Sequence, residues 1–262
     1  MTIPDEWRGR LPHDLAALIG AETWQVNSTG CASAYVFRIG HLYLKIDGRN
    51  GPNSLLAEKE RLEWLRGRLP APTVLYYGID ATHEYLLISE IDGIMACDQA
   101  WREDMPGLVR LLAQALRLVH SVDIASCPFD ERLERKLAAA RQRVEQGLVD
   151  EADFDAERQG RRASELYEEL LCARPPSEDL VFTHGDFCLP NILIDRQQAR
   201  ISGLIDWGRA GIADRYQDLA LAARSLTYNF GPGWEPLLFA EYGLAAPDRQ
   251  KLDFYRLLDE FF

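Results

Sequence analysis

The sequence predicts an α+β fold in which an N-terminal antiparallel sheet carries one helix and the remainder is mainly helical. Two observations carry that reading. Within the first 92 residues, β-type runs separated by turn residues surround a single charged helical stretch, in the order β-β-β-α-β-β. Beyond Ile91-Asp92-Gly93, apolar residues recur at helical spacing, broken by two short strands around a group of Asp and Asn.

A short helix from His13 to Ile19 precedes β-type runs at Thr23 to Asn27, Ala34 to Ile39 and Leu42 to Ile46, with turn residues between them. A charged helix from about Asn53 to Gly67 follows, then the turn Leu69-Pro70-Ala71-Pro72 and strands near Val74 to Tyr77 and Tyr85 to Glu90. Next, Leu108, Leu111, Leu112, Ala115, Leu116 and Val119 fall on one helical face, and Leu133, Leu137, Arg141 and Val144 continue that pattern. Asp150 to Arg162 is rich in Asp, Glu and Arg, and reads either as a mobile insertion or lid or as a solvated helix face. Helices from about Arg215 to Tyr228, Trp234 to Tyr242 and Asp248 to Phe262 finish the chain.

With 262 residues, the chain is long enough to bury a sizeable core as one large domain or two lobes, here 1–92 and 93–262. No run of eighteen apolar residues occurs, and Met1 to Glu6 lack the basic start and apolar centre of a signal peptide, so a cytoplasmic protein that does not engage membranes is expected. Cys31, Cys97, Cys127, Cys172 and Cys188 lack the paired spacing of a zinc site or redox dithiol and read as free thiols. A net charge of −12 argues against nucleic acid as a partner and favours a cationic ligand.

The chemistry concentrates in Val181-Phe182-Thr183-His184-Gly185-Asp186-Phe187-Cys188-Leu189-Pro190-Asn191 and in Gly203-Leu204-Ile205-Asp206-Trp207. Asp186 and Asn191 lie on one loop entering a strand and Asp206 follows the next strand, so a tight hairpin supplies three oxygen-bearing side chains. Phosphoryl transfer needs charge neutralisation and positioning more than covalent help. Asp186 is the candidate base or orienter of an attacking hydroxyl, and Asn191 and Asp206 are candidate ligands of Mg²⁺, a hard ion that prefers oxygen. Asp and Asn also favour turns, but here they end apolar runs where an unpaired charge would be costly.

Lys45 lies in a β-type run and Glu58 on the following helix, the arrangement of a lysine held by a glutamate and aimed at phosphates. Tyr43 shares the strand face of Lys45 and is placed to lie on an adenine. Upstream, Asn27 to Ser33 has a single glycine, with hydroxyls at Ser28, Thr29 and Ser33; it reads as a phosphate-cradling turn or a plain hairpin turn.

Together with Ala213-Asp214-Arg215-Tyr216-Gln217-Asp218-Leu219-Ala220 and the final Phe254-Tyr255-Arg256-Leu257-Leu258-Asp259-Glu260-Phe261-Phe262, these motifs resemble the aminoglycoside 3′-phosphotransferases over nearly the whole chain. The resemblance implies a two-lobed, protein-kinase-like fold that binds ATP in its cleft, with Mg²⁺ on Asn191 and Asp206. It implies that Asp186 acts on the acceptor and that Ser89-Glu90-Ile91 forms a hinge, the Ser89 carbonyl and Ile91 amide reading adenine. An aminoglycoside is a polycation, and by the same resemblance Asp153, Asp186, Asp259, Glu260 and the terminal carboxylate of Phe262 hold its ammonium groups. Arg209 and Arg224 position carboxylates or the lid. Asp259 and Glu260 also admit reading as a solvated helix end. Where the family carries further acids after Arg224, this chain has Ser225 and Tyr228, which bears on which ring amines are held.

The function that follows is ATP-dependent phosphorylation of the 3′-hydroxyl of kanamycin- and neomycin-type aminoglycosides, conferring resistance, by a monomer or weak dimer. A kinase of another small hydroxylated metabolite or antibiotic and a nucleotide-binding pseudokinase stand as alternatives.

Overall fold

A computed structural model describes residues 3–27, 35–49 and 54–262. Its chain contacts divide it into two compact units, Met1–Asp92 with Gly203–Gly208, and Gly93–Ser202 with Arg209–Phe262. The segment 203–208, which the sequence reading assigned to the second lobe, thus groups with the first unit.

The first unit contains helices α1 (Ile3–Arg8) and α2 (His13–Ile19), strands β1 (Trp24–Val26), β2 (Tyr35–Ile39) and β3 (Leu42–Gly48), helix α3 (Leu55–Leu65), and strands β4 (Val74–Ile79) and β5 (His83–Ser89). The strands form one antiparallel sheet in the order β1-β2-β3-β5-β4. On β3, Leu44 and Ile46 are buried with Trp7, Leu15, Ile19, Trp24, Phe37, Ile39, Tyr85 and Leu87, so strand alternation turns Tyr43 and Lys45 to the opposite face. Lys45 there meets Glu58 of α3. That is why β5 is buried on both faces, Tyr85 and Leu87 against the apolar cluster and Leu86 and Ile88 on the side of Lys45. Segment 203–208 is tied in by Leu204 N, which donates to Pro70 O at 3.0 Å. A Cβ on Gly203 would come within 2.8 Å of that same oxygen, so the close approach requires glycine.

The second unit contains β6 (Ile94–Met95), α4 (Met105–His120), α5 (Leu133–Glu145), α6 (Ala163–Cys172), β7 (Leu180–Thr183), β8 (Ile192–Asp195), β9 (Arg200–Leu204, whose last residues belong to the first unit), β10 (Gly211–Asp214), α7 (Tyr216–Phe230), α8 (Glu235–Tyr242) and α9 (Arg249–Asp259). β7 pairs antiparallel with β10, Gly211 opposite Thr183, and β6, β8 and β9 form a second small sheet. β10 was not expected from the sequence, because four residues beginning with glycine carry little strand signal. α4 begins where the Asp104 side chain accepts from Gly107 N, with Pro106 in the first turn, and buries the stripe Leu108, Leu112, Ala115, Leu116 and Val119.

Two of the alternative readings fall. Residues 150–162 form turns rather than a helix, with Phe154 and Arg158 buried. α9 ends at Asp259, and Glu260 is not on a solvated helix end: its side chain is 3% exposed.

Candidate active site

In the first unit, Lys45 Nζ donates to Glu58 Oε1 at 2.7 Å and Oε2 at 2.8 Å, and also to Asp206 Oδ1. Burial by itself would push the Lys45 ammonium down, but the Asp206 and Glu58 carboxylates outweigh it and raise it above its ordinary value. Lys45 is therefore a fixed cation. Asp206 adopts a left-handed backbone, φ 63°, which is costly for a residue with a Cβ and is held by the turn that follows β9. Trp207 Nε1 donates to Leu204 O at 2.8 Å within that turn.

Tyr43 lies beside Lys45 on its face of β3, and its phenol is pushed up by burial and by Glu90. Ser89 ends β5, where its hydroxyl accepts from Thr73 N at 2.9 Å. Glu90 N donates to His41 O at 2.9 Å, and the Glu90 carboxylate accepts from Arg38 Nε at 2.9 Å and lies 2.8 Å from His41 Nδ1. Ile91 follows and packs over Gly203. The Arg38–His41–Glu90 cluster was not anticipated, since polar residues on β2, in the turn after it and just past β5 share no sequence signal. Ser28 and the turn around it lie outside the described residues.

In the second unit, Asp186 follows β7 on a loop whose Gly185 has φ 84°, and a Cβ there would fall 2.1 Å from Arg209 O. Glycine is required at this position by both conformation and space. Asn191 Nδ2 donates to Asp186 O at 3.1 Å and to Asp186 Oδ2 at 3.0 Å. Carbonyl and carboxylate oxygens only accept, so the amide nitrogen faces Asp186 and the amide oxygen is the end suited to a cation. Burial pushes the Asp186 carboxyl up, but the Arg209 guanidinium, with His184, Cys188 and Asn191, pulls it further down, to a net value below the usual carboxylate range. Burial and Asp186 together raise the Cys188 thiol well above its ordinary value, so it serves Asp186 as an S–H donor.

Behind the loop, Asp218 accepts from His184 N at 2.7 Å and Gly185 N at 2.9 Å, and Gln217 Nε2 donates to Gly185 O at 3.0 Å. His184 is fully buried and contributes its backbone to this bracing.

The acidic residues near the end of the chain are brought together with arginines. Asp259 accepts from Arg209 Nη1 at 3.3 Å and from Arg224 Nη2 at 2.5 Å, and Arg209 Nη2 donates to Phe262 O at 2.8 Å. The Phe262 ring lies under Lys136, Arg143 and Arg209 at 5.3, 5.9 and 5.7 Å. Glu260 accepts from Arg158 Nη1 at 3.0 Å and from Asp155 N. Asp153 is exposed, and it is Asp155, two residues on, that lies 3.6 Å from Arg224. The sequence offered both carboxylates, and only the turn geometry separates them. Ser225 is buried and accepts from Leu189 N at 2.9 Å, while Tyr228 is 88% exposed.

Among the described residues no group of three His, Cys, Asp or Glu side chains could hold a metal ion. Mg²⁺ is a hard cation that takes one or two protein oxygens and completes its shell with water and phosphate. Asn191 and Asp206 are oxygen donors of that kind. No helix among the described residues is long and apolar enough to cross a membrane.

The chain matches a family model described as phosphotransferase enzyme family over residues 16–255. It is similar to an aminoglycoside 3'-phosphotransferase of Niallia circulans, 40% identical, covering 96% of this chain and 97% of the relative. Its structure resembles the crystal structure of aminoglycoside-3'-phosphotransferase of type VIII with a TM-score of 0.86 and 37% identity, covering 99% and 97% of the two chains. It also resembles an aminoglycoside phosphotransferase of Streptomyces rimosus in complex with ADP and streptomycin, with a TM-score of 0.81 and 30% identity over 94% and 95% of the chains.

Proposed function

The chain belongs to the aminoglycoside 3'-phosphotransferases of the phosphotransferase enzyme family, and on that footing we propose that it transfers the γ-phosphate of ATP to the 3′-hydroxyl of kanamycin- and neomycin-type aminoglycosides, inactivating them. The observation that carries this reading is Lys45, a cation held by both oxygens of Glu58 and bonded to Asp206, the arrangement phosphate binding asks for.

In the proposed reaction, Lys45 neutralises charge on the α and β phosphates. Asn191 and Asp206 would hold Mg²⁺, which when bound would neutralise phosphate charge and lower the repulsion that an incoming nucleophile meets. Tyr43 packs against adenine, whose edge is read by the Ser89 carbonyl and Ile91 amide. Asp186, fixed by Asn191 and kept ionised by Arg209, orients the 3′-hydroxyl and takes its proton as the new phosphorus–oxygen bond forms and the bond to the β-phosphate oxygen breaks, releasing ADP. Arg209 and Arg224 fix Asp259, and Asp259 supplies negative charge for ring ammonium groups, with the Phe262 oxygen as a further acceptor. Glu260, engaged by Arg158, contributes to the acceptor side by holding the 155–158 segment in place. The same reading places the enzyme in the cytoplasm, where ATP and the drug's target meet.

ADP release that depends on kanamycin, is lost in Asp186→Ala and is absent with a 3′-deoxy drug tests this. NMR of the product decides the position. Phosphate on another hydroxyl would move the enzyme to a sister subclass, and turnover unaffected by Asp186→Ala would overturn the mechanism.

A further inference from the structure

Helix α3 supplies Glu58 to Lys45, and Ser54 stands at its N-cap with an extended backbone. The Ser54 side chain nevertheless caps none of the described amides, while its carbonyl accepts from Ala57 N at 3.1 Å and Glu58 N at 3.4 Å. Leu56 N, in the same turn, donates to Glu84 Oε2 at 3.1 Å. Glu84 lies on β5, 28 residues further along the chain and opposite Asp47 of β3. Strand alternation puts Glu84 on the face of Leu86 and Ile88, which is also the face of Lys45 and Asp47. Both carboxylates are buried. Like charges directly opposite in a sheet are destabilising, so sheet formation does not explain this pair. The N-terminal end of a helix favours an anion, and that is what Glu84 meets. Of the apolar residues of α3 only Leu55, Leu62 and Leu65 are buried, two of them in its C-terminal half. Its first turn therefore rests on Leu55 and on two carboxylate contacts, Glu84 to Leu56 N and Glu58 to Lys45.

We infer that Glu84 is a positioning residue for nucleotide binding, which pins the first turn of α3 to β5 and thereby fixes Glu58 against Lys45. β5 is hydrogen-bonded along β3 with Leu86 opposite Lys45, so one sheet carries both ends of the tether. Without Glu84 the N-terminal turn of a charged helix is free to swing, and Lys45 keeps Asp206 as its fixed partner. Losing a helix cap shifts a local equilibrium by about 2- to 30-fold, and here the shift falls on the phosphate-binding cation. The inference rests on the reading that Lys45 binds the phosphates of ATP.

The test uses Glu84→Leu, Glu84→Gln, Leu56→Pro and the double variant Glu58→Ala/Glu84→Leu, compared with Glu58→Ala. Glu84→Leu is expected to raise the Kd for ATP, measured by calorimetry with Mg²⁺, about tenfold, with the KM for kanamycin within about twofold. Leu56→Pro deletes the donor in a first turn, where proline is tolerated, and is expected to raise the Kd by a similar factor. Glu84→Gln keeps an acceptor oxygen and is expected to stay within about threefold of the parent. Adding Glu84→Leu to Glu58→Ala changes the Kd by less than about twofold, because Glu84 acts through Glu58. A loss of stability alone reduces the folded fraction and leaves the Kd of the folded protein where it was. Amide hydrogen exchange followed by NMR is expected to quicken in Glu84→Leu at Leu56 and Glu58 relative to Leu65. An unchanged Kd in Glu84→Leu, a rise of the same size in the Glu58→Ala background, or unchanged exchange at Leu56 overturns the inference. A parent protein that does not bind ATP defeats the reading of Lys45 instead, and the exchange measurement still decides whether Glu84 holds the helix. Should Glu84→Leu fail to fold, seen as exchange accelerated throughout, Leu56→Pro alone and with Glu58→Ala carries the same comparison.

Discussion

A buried lysine with two carboxylates is stable only as a set, and that fixes what each member does. Lys45, held by Glu58 and Asp206, cannot be exchanged for another cation without loss, because an ammonium is a point charge and a guanidinium is a wider planar fork. Lys45→Met is expected to lower kcat/KM by about 10²- to 10³-fold, much of it as a raised KM for ATP, and Lys45→Arg is expected to recover little; steady-state kinetics with varied ATP checks both. Asp186 offers a pH test. Its folded value is depressed, so the stability and activity it contributes are present above the unfolded carboxylate value and lost as pH falls through the lower folded value. Arg209→Met removes the largest opposing charge, so the acid limb of the kcat/KM profile is expected to move to higher pH. An acid limb that stays in place would show that Arg209 does not set the charge of Asp186.

Turns and helix ends bring together the residues proposed for the acceptor side, and their energetics are those of buried ion pairs. Glu260 leaves α9 to meet Arg158 and the Asp155 amide, tying the 155–158 turns to the end of α9. Removing one partner of such a pair strands the other charge. Glu260→Ala is expected to destabilise the protein by about 3–5 kcal/mol in urea unfolding, whereas an exposed pair such as Arg141–Glu145 contributes little. At this scale the sequence was readable only where contacts are local. The β8–β9 hairpin that places Asn191 before it and Asp206 after it follows from apolar runs and turn residues a few positions apart. The Glu260–Arg158 pair spans 102 residues and nothing in either segment announces it. The alternative reading of Glu260 as a solvated helix end gave way for that reason, and the Arg224–Asp155 contact was equally invisible.

Across the molecule, net charge and ligand binding set the behaviour. A polycationic substrate approaching a chain of net charge −12 is steered by long-range attraction, which salt screens. The kcat/KM for kanamycin is expected to fall severalfold between low salt and about 0.5 M salt, while the KM for ATP, an anion, does not rise in parallel. A salt-independent kcat/KM would remove electrostatic steering from the account. The division into units likewise departs from a single cut in the sequence, because 203–208 returns to the first unit through Pro70 and Lys45.

By itself the sequence determined the fold class, the β-β-β-α-β-β order of the first unit, the pairing of Lys45 with Glu58, and the placing of Asp186 and Asn191 on one loop, because periodicity and close spacing encode those features. Only the tertiary structure decided that Asp218 stands behind the Asp186 loop, that Asp259 is shared by Arg209 and Arg224, and that Glu260 faces Arg158. Those contacts join helices and turns far apart along the chain. Their partners are selected by packing, and packing a buried charge leaves no choice but to pair it.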